Sequence, residues 1–246
     1  MQVLTNQGFV RTRSRLGRLA TLLGFACLIG GLVLSWQPWQ QQPSQQSELI
    51  LVAYATLLPG YLLIMYGSYN TIRWGGKPRV DEILTSALKT LDHKYQLLNY
   101  QDGLPVDNLL LTPWGLVVLE VRPYFGEFIN SGGKWRRKRA LLQWLLIFGE
   151  GSLGNPTRDA QRNVAAVRQF LTARLGEEVA AEVPVEAVVV FTHPRATLTV
   201  EDPEVPVAPA RELKPAVRRP QGPQARNKLP GDVYRRVAQA LRAPGG

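Results

Sequence analysis

Two acids and one arginine lie in a short stretch of the chain that is otherwise typical of a β-hairpin. Within residues 106–126, two apolar runs flank the turn sequence Thr112-Pro113-Trp114-Gly115, in which proline fixes φ and glycine tolerates unusual values. Asp107 begins the first run, and Glu120 and Arg122 lie near the end of the second. Because strand side chains alternate between faces, Glu120 and Arg122 project from the same face. Two carboxylates and a cation can form a metal-assisted phosphodiester site, although a salt bridge at a strand end would use the same residues.

The composition restricts the ligands that such a site can have. The formal net charge of +10 favours an anionic partner, either a nucleic acid or a lipid surface. The single cysteine, Cys27, lies in an apolar run, and the two histidines, His93 and His193, are far apart. These counts exclude a disulfide framework and a histidine- or thiolate-based zinc site. Any metal here would be a hard cation bound by oxygen, Mg²⁺ or Mn²⁺.

Two uncharged apolar runs, residues 19–36 and 49–69, predict a pair of transmembrane helices. A signal peptide is the alternative for the first run, but no small-residue cleavage site follows it. The connector, residues 37–48, contains no lysine or arginine, whereas both outer flanks are basic. By the positive-inside rule, we expect an integral membrane protein with its N-terminus and its C-terminal domain in the cytoplasm.

The remainder alternates between helical and strand patterns, as an α/β domain does. The predicted elements are a helix over 80–91, strands over 95–100, 185–192 and 196–200, an edge strand over 205–207, and a helix from Asn155-Pro156 to about Gly176. The apolar run 141–148 fits either a strand or a buried helix. Glu82 lies in the first turn of the first helix, where the helix dipole alone favours an acid. Gln161 lies one turn into the later helix, a position that is usually on the surface.

A basic segment follows the glycine pair of a second predicted turn. Five cations surround one tryptophan in the sequence Lys134-Trp135-Arg136-Arg137-Lys138-Arg139. Such a segment can bind phosphates and stack a base, or it can be a solvated hairpin edge that is protected by charge.

The C-terminal part is basic and rich in proline. Residues 211–224 are predicted to be extended or loosely ordered, and residues 230–242 to form an amphipathic helix that either caps the fold or lies on anionic lipid. The predicted division is a membrane part over 1–72, a domain over 73–210 and a basic tail over 211–246.

The order of these features resembles the nuclease-related domain (NERD) family of the PD-(D/E)XK nuclease-like superfamily. The residues that carry the resemblance are Glu82 on a helix, Asp107 before a strand, the Gly115 turn, Glu120-Val121-Arg122-Pro123-Tyr124-Phe125-Gly126, Trp135 after a glycine pair, and Asn155-Pro156 with Gln161. The resemblance covers about residues 79–191. It implies an α/β, restriction-endonuclease-like fold with a mixed central sheet flanked by helices, here preceded by the two-helix membrane hairpin.

The resemblance also implies roles for individual residues. Asp107 and Glu120 would bind Mg²⁺ or Mn²⁺, Glu82 would assist them, and Gln161 would help to hold the site together. Arg122 stands where the family has a lysine that positions or activates the attacking water. Lysine can lose its proton when it is buried, whereas arginine stays charged at any working pH.

Three functions therefore remain open. The first is a membrane-anchored, metal-dependent nuclease-like protein that acts on DNA rather than RNA at the cytoplasmic membrane face. The second is a catalytically weakened module of the same fold, which binds nucleic acid or a protein partner without cleavage. The third is a membrane protein whose basic tail contacts anionic lipid.

Overall fold

The computed structural model describes residues 1–36, 43–138, 153–218 and 227–242. Its strands are β1 (Gln2–Thr5), β2 (Gln96–Asn99), β3 (Asn108–Thr112), β4 (Gly115–Arg122), β5 (Gly126–Ser131), β6 (Lys134–Lys138), β7 (Val185–Phe191), β8 (Ala196–Glu201) and β9 (Val207–Pro209). Its α-helices are α1 (Gln7–Trp36), α2 (Pro43–Gly75), α3 (Val80–Leu88), α4 (Pro156–Leu175), α5 (Glu177–Ala181), α6 (Leu213–Arg218) and α7 (Gly231–Arg242). The apolar run 141–148, Arg139 and residues 37–42 of the connector lie outside the described residues.

The described chain divides into two compact units. An α/β unit contains the described residues of 1–7, 80–143 and 152–246, and a helical unit contains those of 8–79.

The α/β unit contains a six-stranded sheet in the order β1-β2-β3-β4-β7-β9. β2, β3 and β4 are antiparallel neighbours, whereas β7 runs parallel to β4 and β9 parallel to β7. A second sheet has the order β6-β5-β8. The prediction of a mixed central sheet flanked by helices is confirmed, with β7 inside the sheet and β9 at its edge.

Each face of the larger sheet packs against its own helix. On one face Val118 belongs to a core cluster with Val167 of α4, and on the other Val117 belongs to a cluster with Leu84 of α3. Because side chains of β4 alternate between the two clusters, Glu120 and Arg122 share the face that carries Val118 and α4.

The turn between β3 and β4 is organised by Thr112. Its hydroxyl accepts a hydrogen bond from the backbone N–H of Trp114 at 3.1 Å and donates one to the carbonyl of Gly115 at 2.9 Å. Gly115 has φ of +150°, a value that side-chain-bearing residues rarely adopt. The predicted hairpin is therefore confirmed, although its first strand begins at Asn108 and leaves Asp107 just before it.

The first residues of the chain contribute a strand that the sequence pattern does not predict. β1 pairs in parallel with β2 at the edge of the larger sheet, with Thr5 opposite Asn99. The amide of Asn99 donates to the hydroxyl of Thr5 at 3.1 Å. Residues 2–5 therefore belong to the sheet of the α/β unit, ahead of the apolar helix α1.

The segment predicted to be extended or loosely ordered contains helical residues, and its residues 219–224 lie outside the described residues. Residues 210–218 are helical, because Leu213 and Val217, which are four residues apart, are both buried in the core. The predicted amphipathic helix forms over Gly231–Arg242 and buries Val233 and Val237. It therefore caps the fold, as one of the two sequence interpretations predicted.

The helical unit is held together by close contacts at glycines. A Cβ on Gly24 would lie 2.7 Å from Cγ1 of Ile64, and a Cβ on Gly67 would lie 2.3 Å from Oγ1 of Thr21. These contacts pair α1 with α2 in antiparallel orientation through small residues, as membrane helices often do. Among the described residues, one helix segment, Gln7–Val33, is long and apolar enough to cross a membrane. The second predicted crossing stays a prediction.

Candidate active site

The β3–β4 hairpin determines how close the two predicted metal ligands can come. Leu109 pairs with Val118 in the antiparallel register. Extending this register by two residues places Asp107 across from Glu120. Asp107 is exposed, and its carbonyl accepts a hydrogen bond from the N–H of Tyr100 at 2.7 Å.

Arg122 links two carboxylates from different elements. Its Nη1 forms an ion pair with Oε1 of Glu120, and its Nη2 lies 2.5 Å from Oδ2 of Asp159. The side chains of Arg122 and Glu120 are each 13% exposed, and that of Asp159 is 27% exposed. At such burial the guanidinium provides charge neutralisation that solvent cannot fully replace.

The remaining carboxylate oxygens also have nitrogen partners. Nδ2 of Asn163 donates to Oε2 of Glu120 at 2.7 Å, and Nη2 of Arg162 lies 2.9 Å from Oδ1 of Asp159. We refer to Glu120, Arg122, Asp159, Arg162 and Asn163 as the Arg122 cluster. All four oxygens of its two carboxylates therefore contact nitrogen donors.

Helix α4 positions three members of the Arg122 cluster. The helix begins where the sequence predicts, because Oδ1 of Asn155 accepts a hydrogen bond from the N–H of Arg158 at 3.1 Å and Pro156 occupies the first turn. Asp159 and Asn163 are one turn apart, so they lie on one side of the helix beside the fully buried Ala160.

Sequence reasoning missed Asp159 and Asn163 as site residues. The usable signal was their i, i+4 spacing next to the predicted apolar stripe of α4. That spacing predicts two polar side chains at the margin of the buried face, close to the sheet.

The two other predicted site residues lie apart from the contacts of the Arg122 cluster. Nε2 of Gln161 donates to Oε2 of Glu204 at 3.1 Å on the surface. Glu82 is exposed in the first turn of α3, the helix whose Leu84 packs on the opposite face of the sheet. The structure thus brings Glu120 together with Arg122, whereas Gln161 contacts another acid and Glu82 belongs to a helix on the other side.

The residues around Glu120 do not fit a divalent cation in this arrangement. Mg²⁺ and Mn²⁺ require several oxygen ligands. Both oxygens of Glu120 are bound by Arg122 and Asn163. Over the described ranges, no group of three or more His, Cys, Asp or Glu residues could hold a metal ion. The positive charge between the carboxylates is that of Arg122.

The basic segment forms β6, an edge strand of the smaller sheet, with two different faces. Lys134, Arg136 and Lys138 are exposed, and Lys138 forms an ion pair with Glu127 at 2.7 Å. Lys134 and Arg136 are therefore the side chains of this strand best placed to meet an external anion.

The alternate residues of β6 point inward. Nε1 of Trp135 donates to Oγ1 of Thr157 at 2.8 Å, and its ring lies 5.6 Å from that of Phe191. Arg137 donates to the carbonyl of Phe125 at 2.7 Å. Because Trp135 is packed against the core, the hypothesis of a nucleic-acid surface depends on the exposed cations, and Arg139 lies outside the described residues.

Comparison with known proteins gives a match to a family model. Residues 76–192 match the family model described as the nuclease-related domain (NERD). No curated protein and no solved structure matches the chain. The matched range extends from just before α3 to just after β7 and includes the whole Arg122 cluster. This match supports the presence of a nuclease-related domain of the NERD family within the chain.

Proposed function

We propose that the α/β unit is a nuclease-fold module that binds nucleic acid without metal-dependent cleavage. The observation that carries this proposal is Arg122, whose guanidinium bridges Glu120 and Asp159. A cation built into the chain thus neutralises the acids of the site.

The chemistry of arginine agrees with a unit that binds nucleic acid and does not cleave it. A guanidinium keeps its proton at any working pH, so Arg122 cannot remove a proton from an attacking water. It can still neutralise a phosphate or hold neighbouring acids in place. The ion pairs with Glu120 and Asp159 use both terminal nitrogens of Arg122, which favours the role of holding these acids in place.

The exposed cations of β6 supply a surface for a polyanion. Lys134 and Arg136 project from the same side of an edge strand, and the chain has a net charge of +10. Neutralising phosphates with such side chains releases counterions and makes binding depend on salt. DNA is the partner that we propose, in line with the family match.

Removing Lys134 and Arg136, the two exposed cations of β6 other than the paired Lys138, should weaken DNA binding and its salt dependence. For Lys134→Gln combined with Arg136→Gln, we expect affinity to fall about tenfold or more and the slope of log K against log salt to decrease by about 2, one per lost phosphate contact. Fluorescence anisotropy with labelled duplex DNA and the full chain in detergent measures both quantities. Lys138→Gln is the matched control, since Lys138 is already paired with Glu127. Equal affinity and slope in the double variant and the unmodified protein would contradict this role for β6.

We also propose that the helical unit anchors the protein in a membrane. Large apolar side chains on α1 face outward, among them Leu22, Ile29 and Leu32. The basic residues just before this apolar part favour a cytoplasmic N-terminus and a cytoplasmic α/β unit. Release of the full chain from membranes by alkaline carbonate would contradict this proposal.

A metal-dependent nuclease is the second candidate function. The register that continues from Leu109 and Val118 favours it, because this register sets Asp107 across from Glu120. Mg²⁺ or Mn²⁺ binding there requires that Arg122 release Glu120. DNA cleavage by the full chain that is lost in both Asp107→Ala and Glu120→Ala would favour this function.

A further inference from the structure

A cavity of about 590 Å³ lies in the α/β unit at the opposite end of β4 from the Arg122 cluster. It is lined by residues of the β3–β4 turn, of the segment that precedes β2 and of the start of α7. Small-molecule sites typically have volumes of this order and combine apolar walls with a few polar groups. The cavity is distinct from both the Arg122 cluster and β6.

Aromatic side chains form a fixed part of the cavity wall. Tyr95 is only 5% exposed, and its ring lies 6.4 Å from that of Trp114. The hydroxyl of Tyr234 donates to the carbonyl of Lys94 at 2.6 Å, which ties α7 to the segment before β2. The N–H of Leu229 donates to the carbonyl of Pro113 at 2.8 Å. The wall is therefore held by contacts between three distant segments of the chain.

Cations dominate the charged part of the lining. Lys94, Arg218 and Lys228 line the cavity together with one acid, Asp92. Burial raises the pKa of Tyr95, the positive charge of Arg218 opposes that rise, and the negative charge of Asp92 adds to it. Three cations against one carboxylate favour an anionic ligand.

The aromatic wall and the cationic lining together fit a ligand that combines a planar ring with an anionic group. We propose that this cavity binds a nucleoside monophosphate, with its base against Trp114 and Tyr234 and its phosphate near Lys94, Arg218 and Lys228. Bases stack on aromatic side chains, and lysine and arginine pair with phosphate. A purely apolar ligand would leave the cations without a partner, whereas inorganic phosphate would leave the aromatic wall unused. This site is independent of the proposed DNA surface on β6.

Calorimetric titration of the full chain in detergent with adenosine 5′-monophosphate, adenosine and inorganic phosphate tests the proposal. We expect the monophosphate to bind with a dissociation constant below about 1 mM, and adenosine and inorganic phosphate to bind at least about tenfold more weakly. Arg218→Gln combined with Lys228→Gln should weaken monophosphate binding at least about tenfold, since both removed cations line the cavity. Lys134→Gln combined with Arg136→Gln removes the same charge from β6 and should leave that binding unchanged.

Three results would overturn the proposal. They are no binding of the monophosphate to the unmodified chain, equal weakening in the two double variants, and binding of inorganic phosphate as tight as that of the monophosphate. Hydrogen exchange of β4 in both double variants verifies that each is folded. Because the β6 variant alone should lose DNA affinity, failure of this proposal and failure of the DNA-binding proposal are distinguishable.

Discussion

Replacing Arg122 by alanine is expected to lower the free energy of unfolding of the α/β unit by about 3 kcal/mol. The physical reason is the environment of the charges that remain. Glu120 is 13% exposed and Asp159 is 27% exposed, and Arg122 pairs with both. Without the guanidinium, two carboxylates would stay largely out of water with a shared countercharge removed, which typically costs several kcal/mol. Amide hydrogen exchange of peptides from β4 and β7 in the full chain measures this change in the α/β unit alone.

An exposed ion pair of the same unit supplies the control for Arg122. Lys138 and Glu127 have side chains that are 62% and 40% exposed, and their nitrogen and oxygen are 2.7 Å apart. Lys138→Ala should therefore change the unfolding free energy by less than about 1 kcal/mol. If the two variants destabilised the unit equally, Arg122 would not be the centre of a buried charge network.

Replacing Gly115 by alanine is expected to destabilise the α/β unit by about 3 kcal/mol. Backbone strain at φ of +150° contributes about 1–3 kcal/mol, and steric overlap contributes about as much again. An added Cβ would lie 2.3 Å from the carbonyl oxygen of Pro184. That oxygen accepts a hydrogen bond from the N–H of Leu116 at 2.8 Å, so moving it would disturb the β4–β7 pairing. Hydrogen exchange of β4 and β7 is again the measurement.

Gly132 provides the matched comparison for Gly115. It also has a positive φ, +52°, but a Cβ there would meet no atom within 4 Å. Gly132→Ala should therefore cost only about 1 kcal/mol, the usual penalty for alanine in a left-handed turn. A loss for Gly115→Ala as small as that for Gly132→Ala would show that the contact with Pro184 does not constrain the hairpin.

Local patterns predicted the hairpin and part of the candidate site. Proline and glycine in the turn at residues 112–115, followed by a β-branched run, are signals that depend on neighbouring residues only. Alternation along a strand likewise places Glu120 and Arg122 on one face without knowledge of the fold. The start of α4 at Asn155-Pro156 was predictable for the same reason.

The remaining parts of the site depend on contacts between distant residues. Arg122 meets Asp159 across a sequence separation of 37, and Glu120 meets Asn163 across 43. The apolar stripe of α4 indicates which face of the helix is buried, but no local pattern specifies that this face lies over β4. Burial of Trp135 also depends on a distant partner, Thr157 of α4. The local mixture of cations and one aromatic residue in residues 134–139 therefore left both a base-binding segment and a solvated hairpin edge open.

The N-terminal strand β1 also depends on contacts between residues that are distant in the sequence. Residues 2–5 have no strong alternation, and the basic and apolar segments that follow are dominated by the helix α1. The strand is stabilised by pairing with β2, and the Thr5–Asn99 hydrogen bond spans a separation of 94 residues. Edge strands of this kind form because a sheet offers them unpaired backbone groups, which the strand's own sequence does not encode.

Calorimetric titration of the full chain with Mn²⁺ tests most directly the claim that Arg122, and not a bound metal ion, neutralises the acids of the site. We predict no saturable Mn²⁺ binding below about 1 mM, and identical titrations for the unmodified chain and Glu120→Ala. The reason is that both oxygens of Glu120 are bound by Arg122 and Asn163. Saturable binding at micromolar Mn²⁺ that is lost in Glu120→Ala would contradict the claim and would establish a metal site at Glu120.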